Sequence, residues 1–114
     1  MGEIVGDKLR GHVESLILAA LENSEAHGLE IVKRIELAGS GALRLREGSV
    51  YPALYRMEEA GLIKARWEEK NSGRRGARRR HYQLTLSGKR RLAAARSEWA
   101  DFVTIMNQAL GAPS

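Results

Sequence analysis

Apolar positions recur at helical spacing in four stretches of the chain and alternate singly in three shorter ones. Leu9, Val13, Leu16, Ile17, Ala20 and Leu21 predict a first helix over about residues 9–22. Its apolar arc is broad enough to pack on two sides, against its own core and against a partner subunit. Ser24 is placed to cap a second helix over about residues 26–38, whose buried stripe is Ile31, Val32 and Ile35. Gly28 near its start permits close approach of another backbone, and Gly39-Ser40-Gly41 ends it. Leu43 and Leu45 then alternate with Arg44 and Arg46, which predicts a short half-buried strand over residues 42–46.

The stretch from Glu47 to Gly61 predicts a third helix. Val50, Leu54 and Met57 form the face to be buried, and Gly61 supplies the left-handed stop. Pro52 is read as lying close to the helix start, where a missing N–H costs least. The opposite face presents Ser49, Pro52, Tyr55 and Arg56, with Tyr51 on its flank. A face of this chemistry suits a DNA major groove. Taken alone, the same residues are read more simply as an ordinary amphipathic surface helix.

The segment after Gly61 changes that balance. Ile63, Ala65 and Trp67 alternate with Lys64, Arg66 and Glu68 over residues 62–69, and Tyr82 and Leu84 alternate with His81 and Gln83 over residues 80–84. Asn71-Ser72-Gly73 and Gly76 supply turn chemistry between them, so the segment reads as a hairpin. Its tip holds Arg74, Arg75, Arg78, Arg79 and Arg80. An isolated hairpin is marginal, so this one is expected to lie against the helices. Thr85 or Ser87 caps a last helix over about residues 86–109, along which Leu92, Ala95, Trp99, Phe102, Met106 and Ala109 form a seam widened by Val103 and Leu110.

Charge is distributed unevenly along this pattern. Lys and Arg outnumber Asp and Glu by 11 to 2 over residues 62–91, whereas residues 1–61 are net acidic, 7 against 10. The basic excess therefore falls on the hairpin, where it can meet phosphates or enter a minor groove. RNA readers usually carry aromatic platforms for splayed bases, and few aromatics are expected on this surface, so the pattern favours DNA.

The remaining composition mainly excludes. A chain of 114 residues makes one domain, small enough to gain from dimerisation. The absence of cysteine removes disulfides and thiolate metal sites. Glu3, Asp7 and Glu14 argue against a signal peptide, and the longest apolar run, residues 16–21, is far too short to span a bilayer. The expected location is cytoplasmic. His12, His27 and His81 are scattered, and His27 is read as a capping or surface residue. No catalytic constellation, metal site or cofactor motif is visible, so no enzyme activity and no cofactor are expected.

Together these elements predict a mainly α fold with a small β-hairpin: a winged helix-turn-helix over residues 1–85, a long C-terminal dimerisation helix over 86–110, and a tail over 111–114. The terminal seam implies a homodimer, with Leu9, Val13, Leu16, Leu92, Trp99, Phe102, Val103, Met106 and Leu110 at the interface. A protein-docking winged helix without sequence-specific DNA binding is the competing role, motivated by the acidic first half.

Five pieces, LRGHVESLILAAL, HGLEIVKRI, EGSVYPALYRMEEAGLI, GRRGARRRHYQLTLSGKRRL and SEWADFV, give the chain a resemblance to PadR-type transcriptional regulators of the short form, with a single C-terminal helix. The resemblance runs from about Leu9 to Leu110 and departs from the family pattern at Gly76-Ala77-Arg78, which lengthens the wing tip. It implies a homodimeric repressor on a pseudo-palindromic operator. Ser49, Tyr51, Pro52, Tyr55, Arg56 and the wing arginines Arg74, Arg75, Arg78, Arg79 and Arg80 would then meet double-stranded DNA. It also implies that Trp99 could face its symmetry mate around a small hydrophobic effector, in a pocket lined by Leu9, Leu16, Ala20 and Val103. A packed dimer seam is the simpler account of Trp99.

Overall fold

In the computed structural model, which describes Gly2, Leu9, residues 11–70 and residues 73–111, four helices and three short strands alternate along the chain. They are α1 (Val13–Ala20), β1 (Ala26–His27), α2 (Gly28–Ala38), α3 (Glu47–Glu59), β2 (Ile63–Trp67), β3 (Arg80–Leu84) and α4 (Leu86–Leu110). The strands form one antiparallel sheet in the order β1-β3-β2. The fold is the expected winged helix-turn-helix: α2 and α3 are the two arms, and β2 and β3 are the wing. Asn71 and Ser72 of the expected turn, and residues 112–114 of the expected tail, lie outside the described residues.

Helix α1 begins four residues later than the periodicity suggests, because Gly11 takes a left-handed φ of 85° just before it. Helix α2 is capped not by Ser24 but by His27, whose Nδ1 accepts the Glu30 backbone N–H at 3.3 Å. Ala26 and His27 leave the helical pattern to pair with Tyr82 and His81. This covers the edge of β3 that would otherwise be unpaired. The strand expected over residues 42–46 does not form; only Leu43 makes an isolated bridge. Leu43 and Leu45 are instead half-buried against the core from an irregular segment, which satisfies their alternation without a ladder.

Ile17, Leu18, Ile31, Val50, Leu54, Met57 and Ile63 are all but completely buried, so the core sits where α1, α2, α3 and the base of the wing converge. A side chain the periodicity does not single out ties these elements together. Arg34 donates to the carbonyls of Ala20 at 3.0 Å, Ser24 at 2.8 Å and Glu25 at 3.0 Å, and pairs with Glu30 one turn earlier. It thereby holds the α1–β1 connection against α2 and satisfies carbonyls left over at the end of α1.

Thr85 caps α4, its Oγ1 accepting the Gly88 N–H at 3.0 Å while its hydroxyl donates to the Gly61 carbonyl at 2.6 Å. Leu92 and Ala95 close on the chain's own core, and beyond Ala95 no described residue of α4 is buried. A 25-residue helix is about 37 Å long, and α4 accounts for the elongated outline of 57 × 31 × 21 Å.

Candidate nucleic-acid interface

Helix α3 divides as its periodicity predicts. Val50, Ala53, Leu54 and Met57 are buried, while Ser49, Tyr51, Pro52, Tyr55 and Arg56 are exposed. Tyr55 is the most open of the aromatics on this face, at 67%. The helix stops on Gly61, with φ of 76°; the Leu62 N–H returns to the Met57 carbonyl at 2.9 Å and the Gly61 N–H to that of Glu58 at 3.0 Å. That double closure needs a left-handed residue, and glycine supplies it without strain.

Two details differ from expectation. Pro52 is not at the helix start: α3 begins at Glu47, so Pro52 sits in the second turn and leaves the Gly48 carbonyl without its helical N–H partner. Both residues are exposed. Gly28 meets a ring rather than a backbone. The Tyr51 hydroxyl oxygen and Cε1 lie 2.7 Å from where a Cβ on Gly28 would stand. Tyr51 is thereby seated against the start of α2, at 45% exposure. Arg56, in turn, lies 3.6 Å from Glu14 of α1, an exposed pair that is weak in water and leaves the guanidinium accessible.

The wing register is Ile63 opposite Leu84, Ala65 opposite Tyr82 and Trp67 opposite Arg80. The first two pairs face the core, and burial pushes the Tyr82 hydroxyl pKa upward. Trp67, expected on the apolar face, is 56% exposed because the core ends one pair before it. The Arg80 guanidinium covers its ring instead, 5.5 Å from the centroid, with Arg78 at 6.0 Å.

The five wing arginines are not equivalent. Arg74 is turned inward, donating from Nε to Glu68 at 3.1 Å and from its two terminal nitrogens to the carbonyls of Arg75 and Ala77, so it braces the tip. Arg80 donates to the Glu58 carboxylate of α3 at 2.8 Å. Arg75 and Arg78 are exposed, Arg78 anchored through Nε to the Glu68 carbonyl at 2.8 Å, and Arg79 is half-buried. The outer face of the sheet carries a shallow groove lined by Glu25, Lys64, Arg66, His81 and Gln83. Within it Glu25 and Arg66 are paired, and the Arg66 hydrogen bond holds the Glu25 carboxyl below the usual carboxylate range.

At the junction of wing and α2, the His27 and His81 rings meet edge-on with centroids 5.8 Å apart. Burial, and then the nearby Arg79 charge, lower the His27 pKa, which favours the neutral imidazole that its capping role requires. No group of three or more potential metal ligands occurs among the described residues.

Of the residues expected at a subunit interface, Leu9 and Leu92 are enclosed by the chain itself, at 5% and 4% exposure. Val13, Leu16, Ala20 and Val103 are half-buried. Trp99, Phe102, Met106 and Leu110 remain open along the distal half of α4, joined by Ile105, which the seam spacing omits. Trp99 stacks on Phe102 at 5.7 Å and meets His12 edge-on at 5.4 Å. No helix among the described residues is long and apolar enough to cross a membrane.

Sequence and fold place these features among known proteins. A PadR family transcription regulator from Clostridium difficile is 37% identical, with 88% of this chain and 99% of that one aligned and a TM-score of 0.75. A transcriptional regulator from Clostridium thermocellum is 28% identical over 92% and 96% of the two chains, with a TM-score of 0.80. Bacillus subtilis PadR, solved in complex with operator DNA, shares the fold at 23% identity and a TM-score of 0.61, over 71% of this chain and 44% of that one. The model of the transcriptional regulator PadR-like family matches residues 17–94, a span that takes in both arms of the helix-turn-helix, the wing and the start of α4, and the chain belongs to that family.

Proposed function

We propose that this regulator is a homodimeric repressor that binds a pseudo-palindromic DNA operator. The observation that carries the reading is the outer face of α3: Ser49, Pro52, Tyr55 and Arg56 are held outward by a helix whose other face is locked into the core. Arg56 offers a bidentate donor for a guanine edge, and the tyrosines and Ser49 offer donors and acceptors for bases or phosphates. Arg75, Arg78 and Arg79 lie on a wing whose base adjoins the same helix, and they suit phosphate contact or a narrow minor groove. The operator complex of the Bacillus subtilis relative supports the DNA partner. Two copies joined along distal α4 set the spacing of two α3 helices. Trp99, with Phe102 stacked beside it, would take a flat hydrophobic effector between the copies.

Recovery of bound genomic fragments, followed by footprinting, tests the reading. Protected half-sites about one helical turn apart, or a multiple of it, are expected. Equal affinity for recovered and random fragments across a salt series would sink it.

A further inference from the structure

We infer that Arg80 is a positioning residue: with Trp67 and Glu58 it forms a strut that sets the wing against α3, and it does not itself contact DNA. The inference rests on the DNA-binding role proposed above, and it divides the wing arginines into those that hold the wing and those that use it.

The inward column of the wing runs Ile63–Leu84, Ala65–Tyr82, Trp67–Arg80. Its first two steps are fastened by the core, where Ile63, Leu84 and Tyr82 are buried. At the third step the core has ended, and β1 reaches no farther than His81. A two-stranded ribbon without a packed face is marginal, so this step needs other support. Arg80 provides it. Its stem continues the inward face, its guanidinium covers the Trp67 ring at 5.5 Å, and its terminal nitrogen reaches back to Glu58 at 2.8 Å. Glu58 lies near the end of α3, just before the turn that leads into the wing. The contact therefore closes a bridge from α3 to the outer part of the hairpin.

The same geometry sets Arg80 apart from the exposed arginines of the tip. Its charge is matched by the Glu58 carboxylate and its Nε is buried without a hydrogen-bond partner, so the guanidinium is held on the α3 side of the hairpin while the side chain as a whole stays 38% exposed. Arg75, exposed at the tip, is the natural contrast.

The test compares Arg80→Ala, Glu58→Gln, their double variant and Arg75→Ala in two measurements. The first is affinity across a salt series for a fragment selected by the unchanged protein. Losing a carboxylate should by simple charge tighten DNA binding, whereas a broken strut weakens it. Glu58→Gln and Arg80→Ala are each expected to bind roughly tenfold more weakly, with the double variant no worse than Arg80→Ala. Their salt slopes stay unchanged, while Arg75→Ala lowers its slope by about one. The second measurement is backbone amide relaxation over residues 63–84 in the free protein, where the same two variants increase motion and Arg75→Ala does not. A slope lowered by about one in Arg80→Ala, with Glu58→Gln binding more tightly, would overturn the strut. If the unchanged protein selects no fragment, the proposed function fails and relaxation alone decides: rigid hairpins in both variants reject the inference, and loosened ones support it.

Discussion

Gly88 of α4 lies directly against the Leu62 carbonyl: a Cβ at Gly88 would stand 2.0 Å from the Leu62 oxygen. That oxygen also accepts the Thr85 N–H at 3.1 Å. The first turn of α4 is thus seated on the turn that joins α3 to the wing. The helix proposed to dimerise and the helix proposed to read DNA share this one junction.

Gly88→Ala should therefore be far more damaging than a helical Gly→Ala change normally is. The clash is with backbone, which cannot swing aside, and a loss of about 3 kcal/mol is expected. Gly48→Ala is the control, since a Cβ there meets nothing within 4 Å. In a helix it should be neutral or stabilise by up to about 1 kcal/mol. Urea unfolding of both variants checks the contrast.

Arg34 should matter through its fork rather than its charge. It donates to three carbonyls and to Glu30, and its side chain is only 26% exposed. Arg34→Met is expected to cost roughly 2–4 kcal/mol, because acceptors lose a charged donor. Arg34→Lys should recover only part of that loss, since an ammonium cannot span the same set. Full recovery in Lys, read from thermal unfolding, would show that charge alone suffices.

Acid should weaken the start of α2. The folded protein lowers the His27 pKa below the ordinary value of 6.5, first through burial and then through Arg79, with His81 and Arg74 adding and Glu30 opposing. The unfolded chain therefore binds the proton more readily. The His27 contribution is complete above about pH 6.5 and falls away as pH drops through the lowered folded value. Protonation also removes the Nδ1 acceptor that caps α2. His27→Asn keeps an acceptor without titrating, so its stability should vary less with pH below 6.5 than that of the unchanged protein. Parallel pH dependences would refute this.

Distal α4 should fail as an interface when charged. Phe102 and Ile105 are 54% and 62% exposed, beyond the last buried residue of the helix. Phe102→Glu removes nothing from the protomer core, so its sedimentation should shift from dimer to monomer with the secondary structure retained. Identical sedimentation of the two proteins would count against dimerisation through this face.

Local periodicity alone determined most of this fold. Val50, Leu54 and Met57, Tyr82 and Leu84 and the Gly61 stop were all legible, and the α4 cap was narrowed to Thr85 or Ser87, because each depends on neighbours within a turn or on strict alternation. The exposed set of Ser49, Tyr55 and Arg56 came from the same helical geometry. What only tertiary structure decided were choices between partners distant in sequence. Ala26 and His27 became a strand by pairing with β3, about 55 residues later, while Leu43 and Leu45 met the core from an irregular segment. Alternation assigns Trp67 inward, but the core ends before it. The five arginines at the wing look alike as a run of charge. Which of them brace and which face solvent depends on where Glu68 and Glu58 lie in space, and no spacing rule carries that. The Glu47–Gly61 stretch announced its two faces. The neighbours that give its outer face a working geometry came only with the fold.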